Sequence, residues 1–294
     1  MITLEFKNRI LTALAERRAT FGASDTKFAT SLGISPAQFS RIMKGDTESV
    51  VSDANWISIA RKLGVNLTNE PDWKPVNTPV FQFISAQLEK CQNESLSALL
   101  CDLSDIGKTF TAQHYVKTHK HAIYVDCSQV KSKQKLIRYI AKEFGVGSTG
   151  KYSDVYEDLV FYLKTLPNPL IILDEAGDLQ YDAFLEIKAL WNATEMMCGY
   201  YMMGADGLKE KIRRSINCRK VGYTELFSRF GKRFGQVIPA GKEEGKNFMN
   251  QTAAMIIKAN APENTDVSKL LKSTLGEDGM PSLRRIYKEI RKIA

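Results

Sequence analysis

Paired cysteines and long apolar runs are both absent from this sequence. Its five cysteines are scattered, and no two of them have the Cys-x-x-Cys spacing of a structural zinc site. No stretch approaches the roughly 18 consecutive apolar residues of a membrane-spanning helix, and the N-terminal MITLEFKNRI has no apolar signal core. We therefore expect a cytoplasmic protein with reduced thiols, without a zinc site and without a membrane partner.

The rest of the composition is that of an ordinary globular chain with a positive charge. The 294 residues are 44% hydrophobic and 25% charged, which is enough for a sizeable core in one large domain or two smaller ones. The formal net charge of +8 favours an anionic partner, and nucleic acid is the commonest one. A solvated positive surface is the alternative, so charge alone does not decide between them.

Residues 1–68 have helical periodicity and little strand pattern. The string SDTKFATSLGISPAQFSRIMKG predicts two short helices that meet at Gly33, with Ser35 and Pro36 starting the second. Exposed polar residues on the second helix suit base reading in the major groove; they are Gln38, Ser40, Arg41 and Lys44. The stretch resembles the lambda-repressor-like helix-turn-helix family. A helical bundle that binds protein is the alternative.

The region that follows predicts a linker and then a second, larger domain. Residues 69–79 contain three prolines and should be extended. Strand-like and helix-like runs then alternate, which predicts an α/β domain with a parallel sheet sandwiched by helices. The expected strands lie near residues 96–101, 122–125, 170–173, 200–203 and 236–238. The expected division is a helix-turn-helix domain at 1–68, a linker at 69–79, an α/β core at 80–240 and a helical lid at 241–294.

Two strings of the second domain bear most of the chemistry. In DLSDIGKT, which ends at Thr109, backbone N–H groups would cradle phosphates, Lys108 would pair with β/γ oxygens and Thr109 would hold Mg²⁺. LIILDEAG ends a predicted buried strand in Asp174, for the metal, and Glu175, for the attacking water. The loop residues expected to contact nucleotide are Asp102, Ser104, Asp105, Ile106, Gly107, Lys108, Thr109 and Phe110. A chance Gly-Lys-Thr and a solvated strand end are the alternatives.

Asp102 stands where a phosphate loop normally begins with Gly. Because it has a Cβ and a charge, we expect it to hold a backbone conformation that Gly permits more easily. Asp at the start of a turn also bonds the N–H groups that follow it, whereas a carboxylate pointing inward would repel nucleotide. Since Gly107 and Lys108 are both present, the sequence still predicts ATP binding, with altered affinity.

Together these strings resemble the AAA+ ATPase family, a P-loop fold with a short helical lid. The resemblance implies ATP and Mg²⁺ as ligands and ATP hydrolysis as the activity. It places Asp206, in GYYMMGAD, at a polar sensor, and Arg284, in GMPSLRRIYKEI, at a second sensor on the lid. It also makes Arg229 and Arg233 candidate fingers for a neighbour's γ-phosphate, which implies an oligomer. Each arginine has a surface role as its alternative.

The order of parts narrows the resemblance to the phage Mu B and TnsC group of transposition helper ATPases. In that group the ATP-bound protein forms helical filaments on duplex DNA and directs a transposase to target sites. The resemblance therefore implies duplex DNA, further copies of the chain and a transposase as partners, with hydrolysis controlling disassembly. The residues that match its DNA-binding segment are Lys131, Lys133, Lys135 and Lys151. A replication initiator or helicase loader, and a nucleotide-switched transcription regulator, remain alternatives.

Overall fold

A bundle of short helices precedes the sheet. In the computed structural model, which describes residues 2–65 and 73–293, these helices are α1 (Leu4–Thr20), α2 (Asp25–Leu32), α3 (Pro36–Met43) and α4 (Asp53–Leu63). A Ser or Thr side chain accepts a backbone N–H bond at the start of each helix. Gly33 ends α2 with a φ of +77°, so the chain turns sharply into α3. The inner faces bury Phe28, Phe39 and Trp56.

The predicted boundary between residues 68 and 69, and the first part of the linker, lie outside the described residues. The described linker begins at Trp73 and is attached to the C-terminal helices. The Lys74 N–H donates to Asn260 Oδ1 at 2.7 Å, and Asn260 Nδ2 donates back to the Lys74 carbonyl at 3.2 Å. This part of the linker is therefore held against the C-terminal helices.

The core contains a four-stranded parallel sheet in the order β1-β4-β3-β2. Its strands are β1 (Ser97–Cys101), β2 (Ala122–Asp126), β3 (Leu170–Asp174) and β4 (Gly199–Gly204). The surrounding helices are α5 (Pro79–Asn93), α6 (Lys108–Thr118), α7 (Lys133–Glu143), α8 (Tyr152–Thr165), α9 (Tyr181–Ala193), α10 (Asp206–Asn217) and α11 (Tyr223–Arg229). A separate apolar cluster packs against each face of the sheet. The predicted fold class, a parallel sheet sandwiched by helices after a small all-α region, is confirmed.

The prediction of a fifth strand at residues 236–238 is wrong. The chain there makes only an isolated parallel bridge, between Leu100 and Gly235. The next N–H groups, those of Val237 and Ile238, donate to the Asp102 carboxylate at 2.5 and 3.0 Å. Because a side chain accepts these bonds, no further ladder with β1 forms.

The tail is helical and packs as a small lid. Its helices are α12 (Lys242–Asn260), α13 (Val267–Ser273) and α14 (Leu283–Ile293). The segment between α13 and α14 contains an antiparallel bridge between Leu275 and Pro281. Ala253, Ile257, Ile286 and Ile290 form its buried centre. Within the described ranges, no helix is both long and apolar enough to cross a membrane.

The N-terminal bundle is packed directly on the core. Arg17 donates a hydrogen bond to the Val116 carbonyl on α6, and burial lowers the pKa of its guanidinium. Gly22 lies so close to the His121 ring that a Cβ there would be 2.0 Å from His121 Cε1. Lys27 Nζ lies 3.4 Å from the centroid of the Tyr162 ring on α8. The two parts therefore share a close interface that involves α6, the residue before β2 and α8.

Candidate functional site

A cavity of about 660 Å³ lies beside the loop that joins β1 to α6. It is lined by the loop and the first turn of α6 (residues 104–111), by linker residues beginning at Trp73, by Phe81 of α5, and by residues of the lid helices α12 and α14. Glu175, just after β3, lies on the same wall. Open parallel sheets bind ligands at the carboxyl ends of their strands, and this volume suits a nucleotide-sized molecule.

The loop backbone is shaped by two residues with positive φ. They are Asp105, at +60°, and Gly107, at +99°. Helix α6 begins directly after Gly107, and no side chain caps its first N–H groups. These N–H groups, together with the positive end of the helix dipole, suit an anion in the cavity.

Lys108 is a buried cation at the base of this loop. Its Nζ donates to the carbonyls of Asp102, at 3.0 Å, and Leu103, at 2.5 Å. Burial lowers the pKa of Lys108, although nearby carboxylates act in the opposite direction. A phosphate in the cavity would supply the charge that these neutral partners lack.

Asp174 receives hydrogen bonds from three directions at the end of β3. Its Oδ2 accepts from Thr109 Oγ1, at 2.6 Å, and from the Tyr124 hydroxyl, at 2.9 Å. Its Oδ1 accepts from the N–H of Glu175 at 2.9 Å. Partial burial, and then the Asp174 carboxylate, raise the pKa of Tyr124, so its hydroxyl remains a donor. These contacts fix the orientation of a buried carboxylate.

The same oxygens fit the Mg²⁺ that the fold implies. Hydroxyl and carboxylate oxygens are the ligands that Mg²⁺ prefers. In the part of the chain that is described, no group of three or more His, Cys, Asp or Glu side chains is arranged to hold a metal. Thr109 and Asp174, whose side chains meet at 2.6 Å, are the residues that would hold Mg²⁺ here.

Glu175 lies where a base would face the ligand. Its backbone has a φ of +49°, an uncommon value for a residue with a Cβ, and its side chain is exposed on the cavity wall. Partial desolvation in the cavity, and then the Asp174 carboxylate, raise the pKa of Glu175. A carboxylate with a raised pKa accepts a proton from water more readily than an ordinary one.

Asp102 corrects two expectations. Its φ is ordinary, and the positive φ falls on Asp105 instead, so Asp102 needs no glycine-like backbone. Its carboxylate is buried, with Oδ1 accepting from Leu103 N–H at 2.7 Å and Oδ2 accepting from Val237 and Ile238. It does not line the cavity, and backbone N–H groups occupy both of its carboxylate oxygens. Asp102 instead ties the loop to the segment after α11.

The other predicted contacts divide between the cavity and its surroundings. Ser104, Ile106 and Phe110 line the cavity. Asp206 does not: it is the exposed first residue of α10, and the cavity offers it no direct contact. Its expected role as a sensor therefore has no support from the geometry.

Part of the cavity lining is apolar and aromatic, which the sequence prediction missed. Trp73, Phe81, Ile256 and Tyr287 line it, and the rings of Trp73 and Tyr287 meet edge to face with centroids 4.9 Å apart. Such surfaces suit a planar base. The one local signal was a tryptophan within a proline-rich linker.

Comparisons with known proteins agree with this geometry. The family model described as AAA domain matches residues 92–212, a range that contains all four strands, the loop and Glu175. The chain is also 27% identical, over 158 residues, to the Mu-like prophage FluMu DNA transposition protein B of Haemophilus influenzae. Over part of its length the chain is therefore similar to the AAA domain family and, through the transposition protein B match, to Mu B/TnsC-like AAA+ ATPases. That match covers 53% of this chain and 54% of the relative, so the chain spans about half the length of the curated relative.

Solved structures also resemble this chain in fold. The Cdc6p structure from Pyrobaculum aerophilum matches with a TM-score of 0.50 and 16% identity, over 75% of this chain and 59% of that chain. The structure of the Aeropyrum pernix ORC1 protein in complex with DNA matches with a TM-score of 0.46 and 16% identity, over 74% of this chain and 66% of that chain. Because the Cdc6p match has only 16% sequence identity, it shows a similarity of fold alone.

The three arginines suggested by the AAA+ resemblance have different surroundings. Arg284 lines the cavity from α14, and its Nε lies 3.7 Å from Asp105 Oδ1. Arg229 Nε donates to Asn192 Oδ1 at 2.7 Å, and its guanidinium lies over an aromatic ring of the same chain. Arg233 is exposed, and among the described residues it has no ion pair or side-chain hydrogen bond. Arg233 is therefore freer than Arg229 to reach a neighbouring subunit.

Two of the four lysines in the predicted DNA-binding segment form ion pairs within the chain, and the other two do not form one among the described residues. Lys131 forms an ion pair with Asp178 at 3.1 Å. Lys133 Nζ lies 2.9 Å from Glu186 Oε2 and also over an aromatic ring of α8. Lys135 and Lys151 are exposed. The unengaged positive charge of this segment therefore lies on Lys135 and Lys151.

The helix pair of the N-terminal bundle has fewer free polar groups than expected. Gln38 is half-buried, and its amide accepts from Ser35 N–H at 3.0 Å while donating to the Val50 carbonyl at 3.3 Å. The expectation of an exposed Gln38 is thus wrong, because the side chain completes the capping box of α3. Arg41 pairs with Asp46 at 2.6 Å. The exposed residues Ser40 and Lys44 remain available to a partner.

Proposed function

We propose that this AAA+ protein binds and hydrolyses ATP with Mg²⁺ and assembles as a helical filament on duplex DNA. There it directs a transposase to target sites, and hydrolysis controls disassembly. The observation that carries the ATP part is the 2.6 Å contact of Thr109 Oγ1 with Asp174 Oδ2, beside Lys108 and Glu175 on one cavity. The similarity to a DNA transposition protein B supports the DNA part.

Hydrolysis would draw on residues already in place around the cavity. Lys108 and the N-terminus of α6 would neutralise phosphate oxygens, and Mg²⁺ held by Thr109 and Asp174 would supply further charge neutralisation. Glu175 accepts the proton of the attacking water, a role worth about 10²–10⁴-fold in rate. Because the pKa of Glu175 is raised, it is a better base than a glutamate with an ordinary pKa. Arg284 on the lid lies close enough to the loop to contact a terminal phosphate.

Binding to DNA would depend on charges that the fold leaves free. Lys135 and Lys151 are exposed on the predicted DNA segment, and Ser40 and Lys44 are exposed on α3. Lysines contact phosphates without reading bases, so binding should depend on salt more than on sequence. Arg233, which is also free, would complete a neighbour's nucleotide site and thereby link assembly to ATP.

Electron microscopy of the protein with duplex DNA and a slowly hydrolysed ATP analogue tests this function. We expect continuous filaments that coat the DNA and that Lys108→Ala does not form. Closed rings in place of filaments would favour a replication initiator or helicase loader. Protein that binds nucleotide without assembling on DNA would favour the transcription regulator instead.

A further inference from the structure

One of the two left-handed residues in the loop between β1 and α6 is an aspartate. Asp105 has a φ of +60°, a region that glycine occupies without strain and that Asp or Asn tolerates better than other residues. Asp105 lines the cavity, so its carboxylate lies near the place where bound phosphates would add negative charge. Both the backbone conformation and the charge call for a compensating interaction.

The lid provides that interaction. Ser282 Oγ donates to Asp105 Oδ2 at 2.7 Å, and the Arg284 N–H donates to the two carboxylate oxygens at 3.2 and 3.3 Å. Arg284 is the second residue of α14, so its N–H is one of those that a helix leaves without an internal acceptor. Asp105 therefore caps a helix from a different part of the chain, and its negative charge also suits the helix dipole.

The Arg284 side chain is held much more loosely than its backbone. The guanidinium Nε lies 3.7 Å from Asp105 Oδ1, and the Arg284 side chain is 80% exposed whereas that of Asp105 is 24% exposed. An exposed ion pair of this length is weak. The guanidinium is therefore free to change partner while the backbone cap stays in place.

We propose that Asp105 is a positioning residue that couples the phosphate loop to the lid. Its carboxylate holds the N-terminus of α14 over the cavity, and the terminal phosphate of a bound triphosphate takes the Arg284 guanidinium from it. The inference rests on the proposed nucleotide binding. A diphosphate lacks the γ-phosphate, so the guanidinium stays with Asp105. Asp105 thus fixes the position of the lid and leaves the Arg284 contact to report the γ-phosphate.

Two substitutions separate the cap from its charge. Asp105→Gly suits the left-handed backbone and removes both the cap and the charge. Asp105→Asn keeps an oxygen acceptor for Ser282 and for the Arg284 N–H, but removes the charge. Glu289→Gln is the matched control, since Glu289 is also on α14 but pairs with Lys292 and does not line the cavity.

The position of the lid is measured by spin-label distances between Lys117→Cys on α6 and Lys272→Cys on α13. A Cys218→Ser background suffices because the other cysteines are buried. We expect a narrow distance distribution in the unsubstituted lid, in Asp105→Asn and in Glu289→Gln, and a broad one in Asp105→Gly. The ratio of the affinity for a slowly hydrolysed ATP analogue to the affinity for ADP should fall about three- to tenfold in Asp105→Gly, which corresponds to the loss of one capping interaction. The same ratio should stay unchanged in Asp105→Asn.

Two results would overturn the inference. A narrow, unshifted distribution in Asp105→Gly would mean that Asp105 does not hold the lid. An unchanged ratio of the two nucleotide affinities in that variant would mean that the lid contact does not report the γ-phosphate. If the unsubstituted protein binds neither nucleotide, the proposed function fails, whereas the distances measured without nucleotide still decide whether Asp105 caps α14.

Discussion

Thr109 Oγ1 donates a 2.6 Å hydrogen bond to Asp174 Oδ2, which joins the phosphate loop to the end of β3. The two residues are 65 positions apart in the chain. Their contact forms only because β1 and β3 both end at the same edge of a parallel sheet, on either side of β4. It places a hydroxyl and a buried carboxylate where a metal bound to phosphates would lie.

Glu175→Gln should stop turnover while leaving ATP binding intact. The amide cannot accept a proton from water, so we expect ATP hydrolysis to fall by about 10²-fold or more. Steady-state turnover and equilibrium binding of ATP are measured on the same preparation. Unchanged basal hydrolysis would remove Glu175 from the reaction and favour a switch that does not hydrolyse ATP.

The affinity for ATP should decline at alkaline pH. Phosphates bind the protonated form of Lys108, and burial lowers the pKa of that lysine from its ordinary value of 10.5. As pH rises through the lowered pKa, the charge is lost, so binding weakens earlier than with an exposed lysine. Titration calorimetry from pH 7 upward, with circular dichroism to verify the fold, measures this. Lys108→Arg keeps its charge and should show no such decline; a flat wild-type profile would contradict the proposal.

Asp102→Ala should destabilise the fold without directly affecting nucleotide. The change leaves the half-buried N–H of Val237 and the buried N–H of Ile238 without their acceptor, which costs about 2–4 kcal/mol of unfolding free energy. Denaturant unfolding measures the loss, and Asp102→Asn, which keeps one acceptor oxygen, should lose less. A strong change in ATP affinity with normal stability would show that Asp102 acts on the ligand after all.

Lys135→Ala with Lys151→Ala should weaken DNA binding on every sequence. Each lost phosphate contact lowers the slope of log affinity against log salt by about 1, so the slope should fall by about 2. Lys133→Ala is the informative comparison, because Lys133 is engaged with Glu186 and should mainly affect stability. An unaltered salt slope in the double variant would place the DNA on another surface.

Arg233→Ala should abolish assembly-dependent hydrolysis but leave ATP binding by the monomer intact. Arg229→Ala should have the smaller effect, since Arg229 already bonds Asn192 within its own chain. Hydrolysis is followed against protein concentration for both variants. If Arg229→Ala causes the larger loss, the finger has been assigned to the wrong arginine.

The central strands were predictable because a fully buried parallel strand appears as an unbroken apolar run. The run at residues 170–173 corresponds to β3, whose every residue is buried. Helix α8 is missing from the prediction although Val155, Leu159 and Leu163 repeat every four residues on its buried face. The predicted strand at residues 236–238 fails because Asp102, from a distant part of the chain, takes its N–H groups.

The site was predictable where its residues are neighbours in the chain. Lys108 and Thr109 belong to one short motif, and the strand end predicts Asp174. Trp73 and Tyr287 meet only because the linker packs against the lid, and no local pattern indicates that contact. The direction of the Asp102 carboxylate likewise depends on N–H groups that the sequence does not place beside it.

The most direct test of the central claim, that nucleotide switches this protein onto DNA, is an equilibrium DNA-binding measurement with Lys108→Ala. Duplex DNA is titrated with wild-type protein and with the variant at equal salt, with and without the slowly hydrolysed ATP analogue. The account predicts that the analogue strengthens wild-type binding and has no effect on Lys108→Ala. DNA binding by Lys108→Ala equal to that of the wild type in the presence of the analogue would contradict it.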